Sequence, residues 1–271
     1  MNTDLIPFAS PTPHLTAGRR GAAGWLVLNR PERRNALSAE MWRAIPDLVR
    51  RLAEDPEVRA LAVTGEGGEA FAAGADISEF AGNRDDAAAA RRYDAMTLEV
   101  FAALQDCRKP VVAVIDGYCL GGGLALALAC DIRLASDRSI FALPPARLGL
   151  AYPLAGLRQL LAAVTAARAK ELLFTARRVD AAEASRIGLV HATVGAASLG
   201  AEAESILAML AANAPLSIAA AKGMINALSG VSEDSRPEAL AALSDACFAS
   251  DDYREGRHAF LEKRPPRFSG R

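Results

Sequence analysis

The sequence predicts an α/β fold, and three observations carry that prediction. Short apolar runs, WLVLN (25–29), VRALAVTG (58–65) and VVAVI (111–115), alternate with segments of helical spacing over the first two thirds of the chain. From about Ala166 onward the pattern reads as helices only. Between VVAVI and the apolar run LALALAC (124–130) stands DGYCLGGGLA (116–125), with three consecutive glycines where a strand turns into a helix.

Taken in order, the segment MNTDLIPFASPTPHLTAG carries an early Asp4, no Lys or Arg before Arg19 and three prolines. That is neither a signal nor a transit peptide, and residues 1–14 are expected as a loose extension. WLVLN is the first strand, followed by the turn RPERRNALS. Ser38 is placed to N-cap a helix whose apolar positions Met41, Ile45, Leu48 and Leu52 follow helical spacing. Pro46 is expected to kink that helix or delay its start. VRALAVTG is the next strand, and FAAGADI (71–77) lies between it and an alanine-rich helix from about Ala87 to Asp106.

VVAVI, short, β-branched and preceded by Pro110, is a buried strand, and Leu124 to Cys130 form the first turns of a buried helix. DIRLAS (131–136) and SIFALP (139–144) are two further short strands. Asp180 and Glu183 make a capping-box-like pair before a short helix ending at Gly188. Helices then follow near Ala201–Ala212, Leu216–Leu228, Glu238–Ala249 and Asp251–Lys263. The organisation expected is the extension, a main domain over 15–200 and a helical domain over 201–271, whose apolar face packs on the body or on another subunit.

Bulk properties narrow the function. The 271 residues are 51% hydrophobic and 23% charged with a net charge of -1, so no global basic field exists for nucleic acid or an anionic membrane. Asp116 and the glycines argue against a membrane helix over Val111–Cys130, and the chain reads as soluble and cytoplasmic. Cys107, Cys119, Cys130 and Cys247 have no metal-ligand spacing, and His14, His191 and His258 are far apart, so no metal is expected. The glycine run has two readings: close packing of strand and helix, or an oxyanion site at a helix N-terminus whose N–H groups lack partners. FAAGADI offers a second amide near Gly74 and Ala75, and two converging donors can hold a developing oxyanion.

In order along the chain, NRPERRNALS, FAAGADISEF, DGYCLGGGLALALACDIRLAS and EGRHAFLEKRPPRF resemble the crotonase superfamily, the enoyl-CoA hydratase/isomerase family. The resemblance runs from about residue 15 to the end and implies a spiral of ββα units with a C-terminal helical trimerisation domain, assembled as a homotrimer or a dimer of trimers. It implies a coenzyme A thioester as substrate and no separate cofactor. By the same resemblance the N–H groups of Ala75 and Gly122 bind the thioester oxygen, Ala73, Asp76 and Ile77 border the CoA, and Phe260 and Lys263 contact its adenine and phosphate. Arg34 either reaches a CoA phosphate or is a surface arginine, and Asp76 either caps the following helix or transfers a proton.

The chain departs from the family's hydratases, in which two glutamates orient water and move its protons. Ala125 stands at the first of those positions and Pro145 at the second, and no Asp or Glu occurs between Asp137 and Glu171. Tyr152, in LGLAYPLAG, with the segments that follow, looks closest to methylmalonyl-CoA decarboxylase, although Ala75 stands where that enzyme has histidine. Decarboxylation or related C–C cleavage of a small branched acyl-CoA, with Tyr152 orienting the leaving carboxylate over an apolar floor of Ala125 and Pro145, is therefore the expected reaction of an acyl-CoA lyase. A packing role for Tyr152 is the alternative at that position. For the whole chain the alternatives are a hydratase or isomerase using Asp85 or Glu99, and a silent acyl-CoA-binding subunit.

Overall fold

A computed structural model of the chain describes residues 5–79, 87–231 and 236–271. Strands β1 (Ile6–Phe8), β2 (Leu15–Arg20), β3 (Ala23–Leu28), β4 (Ala60–Gly65), β6 (Val111–Ile115), β8 (Ile132–Ser136) and β11 (Ala192–Val194) form one seven-stranded sheet in that order. Its first two pairings are antiparallel and the remaining four parallel. Strands β5 (Ala70–Ala72), β7 (Tyr118–Leu120), β9 (Ile140–Ala142) and β10 (Val179–Asp180) form a second sheet, ordered β10-β9-β7-β5.

These two sheets are built by repeating one step. A strand of the large sheet is followed by a tight turn, a short strand of the small sheet, and a helix that returns the chain to the large sheet. The steps are β4–β5–α2 (Ala87–Gln105), β6–β7–α3 (Gly122–Leu128) and β8–β9. At the second turn Gly117 has φ +70°, and a Cβ there would meet the Glu69 carbonyl oxygen at 1.9 Å, so only glycine fits. Asp116 fixes the same turn by accepting from Ser136 Oγ at 2.7 Å and Arg138 Nε at 2.8 Å. This is the α/β character that the sequence predicts, arranged as the spiral of ββα units that the resemblance implies.

Helix α1 (Ala39–Glu54) starts where expected, with Ser38 Oγ accepting from Met41 N at 3.3 Å. Pro46 lies inside this helix rather than delaying its start. Met41, Trp42, Ile45, Leu48 and Leu52 are all buried, and that burial outweighs the backbone bond the proline removes. Helices α1, α2 and α3 enclose the main core with the inner faces of the two sheets. The other face of the large sheet is covered by α7 (Leu199–Ala212), whose Leu199, Ala203 and Leu207 pack on Trp25, Val112 and Val114.

Several expectations are corrected. The N-terminal extension is not loose from residue 5 onward: Pro7 sits in an edge strand, where a proline costs no ladder bond, and Ile6 pairs with Arg19. The last third is not helical throughout, because β10 and β11 are strands of two and three residues, too short to show an alternating pattern. β7 and α4 (Leu154–Ala163) were not anticipated either. Beyond them come α5 (Ala166–Thr175), α6 (Ala181–Arg186), α8 (Pro215–Leu228), α9 (Pro237–Phe248) and α10 (Asp251–Glu262). Asp180 caps α6 by accepting from Glu183 N at 2.8 Å, while the Glu183 carboxylate pairs with Arg177 instead of closing the box.

Candidate active site

The ends of β5 and β7 lie side by side in the small sheet, so the turns that follow them meet. After β5, Leu37 N donates to Gly74 O at 2.8 Å and Asp76 N donates to Leu37 O at 2.9 Å. These bonds clamp the backbone on both sides of Ala75, and the bonds among the described residues give its own N–H no partner. After β7, Gly121 N donates to Ala142 O at 2.8 Å, and Gly122 becomes the first residue of α3, whose N–H has no partner within the helix.

The two free N–H groups share one space. A Cβ built on Gly122 would stand 3.3 Å from Ala75 N, and one on Gly74 would stand 3.6 Å from Gly122 N. The glycines answer three separate demands. Gly121 adopts φ 51°, ψ −117°, which disfavours any side chain. Gly122 leaves the space before Ala75 N open. Gly123 lets α3 press on β5, where a Cβ would meet Ala72 O at 2.4 Å. Close packing of strand and helix therefore holds at Gly123, while Gly122 keeps open the space that an oxyanion site would use.

A cavity of about 200 Å³ opens in front of this pair. Ala73, Ala75, Ile77, Ala125, Pro145 and Tyr152 all line it, as do Trp42 from α1 and Phe101 from α2. Among the described residues no charged side chain lines it. Ala125, on α3, and Pro145, opening a short 3-10 turn, thus present only carbon where the resemblance implies carboxylates in hydratases. Glu99 is exposed on α2 and is not among the lining residues, and Asp85 lies outside the described residues.

Asp76 is engaged locally. Its carboxylate accepts from the Ser78 hydroxyl at 2.6 Å, from Ser78 N at 3.1 Å and from Arg30 Nη1 at 2.9 Å. The Ser78 hydroxyl first, and Arg30 with it, hold that carboxyl below the usual carboxylate range, so Asp76 is an ionised cap rather than a proton carrier.

Tyr152 contributes its ring to the wall, but its hydroxyl is sealed from solvent and without a hydrogen-bond partner. The ring lies against Gly156, where a Cβ would meet Cε1 at 2.8 Å and the hydroxyl oxygen at 3.1 Å. Burial, with Cys119 nearby, pushes this phenol well above its usual value and keeps it neutral.

Three expected CoA contacts lie apart from the cavity walls. Arg34 ion-pairs with Glu69 at 2.7 Å and stands over the Tyr118 ring at 5.5 Å. Phe260 is 84% exposed on α10. Lys263, expected on one helix face with Phe260, is instead the left-handed cap beyond α10, with φ 54°. Sequence reasoning missed Trp42, Tyr93, Thr97 and Phe101 as cavity residues. Trp42 carried a signal, as one of two tryptophans and next to Met41 in the capped helix. Among the described residues no group of three or more His, Cys, Asp or Glu side chains could hold a metal, and no single helix is long and apolar enough to cross a membrane.

Residues 20–271 match the sequence pattern of a family described as enoyl-CoA hydratase/isomerase. The chain is 35% identical over 249 residues to a short-chain-enoyl-CoA hydratase of Clostridium acetobutylicum, covering 91% of this chain and 94% of that one. It is 37% identical over 246 residues to a crotonyl-CoA hydratase of Syntrophomonas wolfei, covering 90% and 93%. A solved structure of an enoyl-CoA hydratase/carnithine racemase from Magnetospirillum magneticum superposes with TM-score 0.90 at 34% identity, covering 97% of each chain. These relatives are named hydratases, and the particular likeness to methylmalonyl-CoA decarboxylase finds no support among them.

Proposed function

The chain belongs to the enoyl-CoA hydratase/isomerase family, the crotonase superfamily, and on that premise we propose that it binds a 2-enoyl-CoA thioester and hydrates it. The observation that carries this reading is the pair of unpartnered N–H groups, Ala75 and Gly122, converging at the wall of an apolar cavity. Their two donors meet the thioester oxygen as water adds at C3 and the C2 carbanion delocalises onto that oxygen as an enolate. A proton at C2 then completes the addition. The named relatives support hydration over the C–C cleavage expected from the sequence.

Ala125 and Pro145 favour a second reading. A pocket without carboxylates among the described residues suits a malonyl-type thioester, whose own carboxylate leaves as carbon dioxide and gives the same enolate with no base. In the hydration reading the missing acid–base groups cost about 10²–10⁴ in rate, so turnover is slow beside hydratases that carry both glutamates.

Mass spectrometry after incubation with crotonyl-CoA and, separately, methylmalonyl-CoA separates the two. A gain of one water on the first, with the second untouched, supports hydration. Propionyl-CoA from the second alone replaces it with decarboxylation, and CoA-ester binding without either product makes the chain a silent acyl-CoA-binding subunit. Exposed Ile225, Leu228, Phe248 and Leu261 on α8 to α10 support assembly of the helical region with other copies, as a trimer or a dimer of trimers. The proposed chemistry calls for no cofactor beyond the CoA of the substrate, and the cytoplasm is the compartment proposed for it.

A further inference from the structure

Resting on the acyl-CoA reading above, we infer that the acyl group favoured is apolar and of medium length, about six to eight carbons, and that a four-carbon crotonyl group is accepted but bound more weakly. The cavity holds about 200 Å³, and among the described residues its walls carry no charge. An engineered apolar cavity of about 150 Å³ takes up benzene, so this one has room for a group somewhat larger than a six-carbon ring. Its walls are suited to hydrocarbon: Thr97 spends its hydroxyl on Asp94 O at 2.9 Å, and the Tyr152 hydroxyl is sealed behind its ring.

The mouth extends the same surface. Ile77 on one lip is 64% exposed, and Leu148 and Leu150 on the other are 50% and 37% exposed. Three large apolar side chains held in water around an opening are costly unless a ligand covers them. The same cavity holds the Ala75 and Gly122 N–H pair, so a chain whose thioester oxygen meets that pair is the occupant already positioned to do so.

Isothermal titration of the full chain with saturated butanoyl-, hexanoyl-, octanoyl- and decanoyl-CoA tests this without turnover, since none of these can be hydrated or decarboxylated. Affinity is expected to rise by up to about fourfold for each methylene buried, and to level off once the chain outgrows the cavity. Leu148→Asp, a change at an exposed position, is expected to weaken octanoyl-CoA more than butanoyl-CoA. Equal affinity from butanoyl to decanoyl overturns the inference and leaves the lips to another copy of the chain, while the acyl-CoA reading stands. Failure of every ester to bind overturns both.

Discussion

Replacing Gly122 by alanine places one methyl group where the proposed chemistry needs an oxygen. An acceptor bound to Ala75 N sits at about 2.9 Å. The new Cβ would stand 3.3 Å from that nitrogen and occupies the same space. Loss of one oxyanion donor costs about 10²–10³ in turnover, or roughly 3–4 kcal/mol of transition-state stabilisation. The fold has little reason to object. Gly122 is a helical residue outside the left-handed region, and alanine is favoured over glycine in a helix by about 1 kcal/mol. Against that stand two tight contacts, with Ala75 N and with Trp42 Cζ2, both at 3.3 Å. Melting within a few degrees of the parent is therefore expected, together with at least a hundredfold fall in kcat on whichever thioester the parent turns over. Gly122→Pro, which deletes the N–H at a position where proline is accepted, should fall as far. Gly123→Ala should instead unfold the site, because its Cβ would meet Ala72 O at 2.4 Å. If Gly122→Ala melts normally and keeps turnover within threefold, the oxyanion assignment is wrong.

Tyr152→Phe removes a buried hydroxyl that has no partner, so thermal stability should hold or rise by about 1 kcal/mol, and turnover should stay within a few-fold; a hundredfold loss in kcat would put that hydroxyl back into the chemistry. Lys222 is buried and donates to Leu104 O at 2.9 Å and Asp131 Oδ2 at 2.8 Å, and Lys222→Met leaves the Asp131 carboxylate without its cation. Urea denaturation should show a loss of about 3–5 kcal/mol, and an unchanged midpoint would mean that the pair is dispensable. Glu255 accepts from Arg264 and from Arg267 N, which depress its carboxyl to about 2. Its folded value lies below its unfolded one, so its contribution is fully present above the usual 4.5 and lost as pH falls toward about 2. An NMR titration of Glu255 with an ordinary carboxylate midpoint would refute the contact.

The parts of the fold that the sequence made legible are those whose local signal and tertiary role agree. Ser38 caps α1 because the chain before it is extended and the face after it is apolar, and both facts are visible in the letters. The glycine run was legible as a packing device and as a candidate site, but only coordinates could tell the glycine that packs on Ala72 from the one that leaves space before Ala75 N. Strands β10 and β11 escaped notice because two or three residues carry no periodicity, and their existence depends on their partners β9 and β8. The cavity residues from α1 and α2 were hidden for a different reason: Trp42 and Phe101 obey the same spacing as core residues, and only the position of α3 decides which of them face a ligand. The absence of carboxylates at 125 and 145 was legible once the family resemblance was seen, and the relatives named hydratases leave that absence without a reaction of its own.

The order of strands in the large sheet has a consequence for how the molecule is made. Every strand from β1 to β11 in that sheet joins the edge left by its predecessor in the chain, never inserting between two strands already present. A polypeptide leaving the ribosome can therefore extend the sheet in one direction, each new edge covered soon after it is exposed, which limits the time an open edge is available for aggregation. Closure comes last. Arg59, beside β4, donates to the carbonyls of Phe268 and Ser269, 209 and 210 positions further on. The growing body waits for its own tail, and contacts of such long range form slowly.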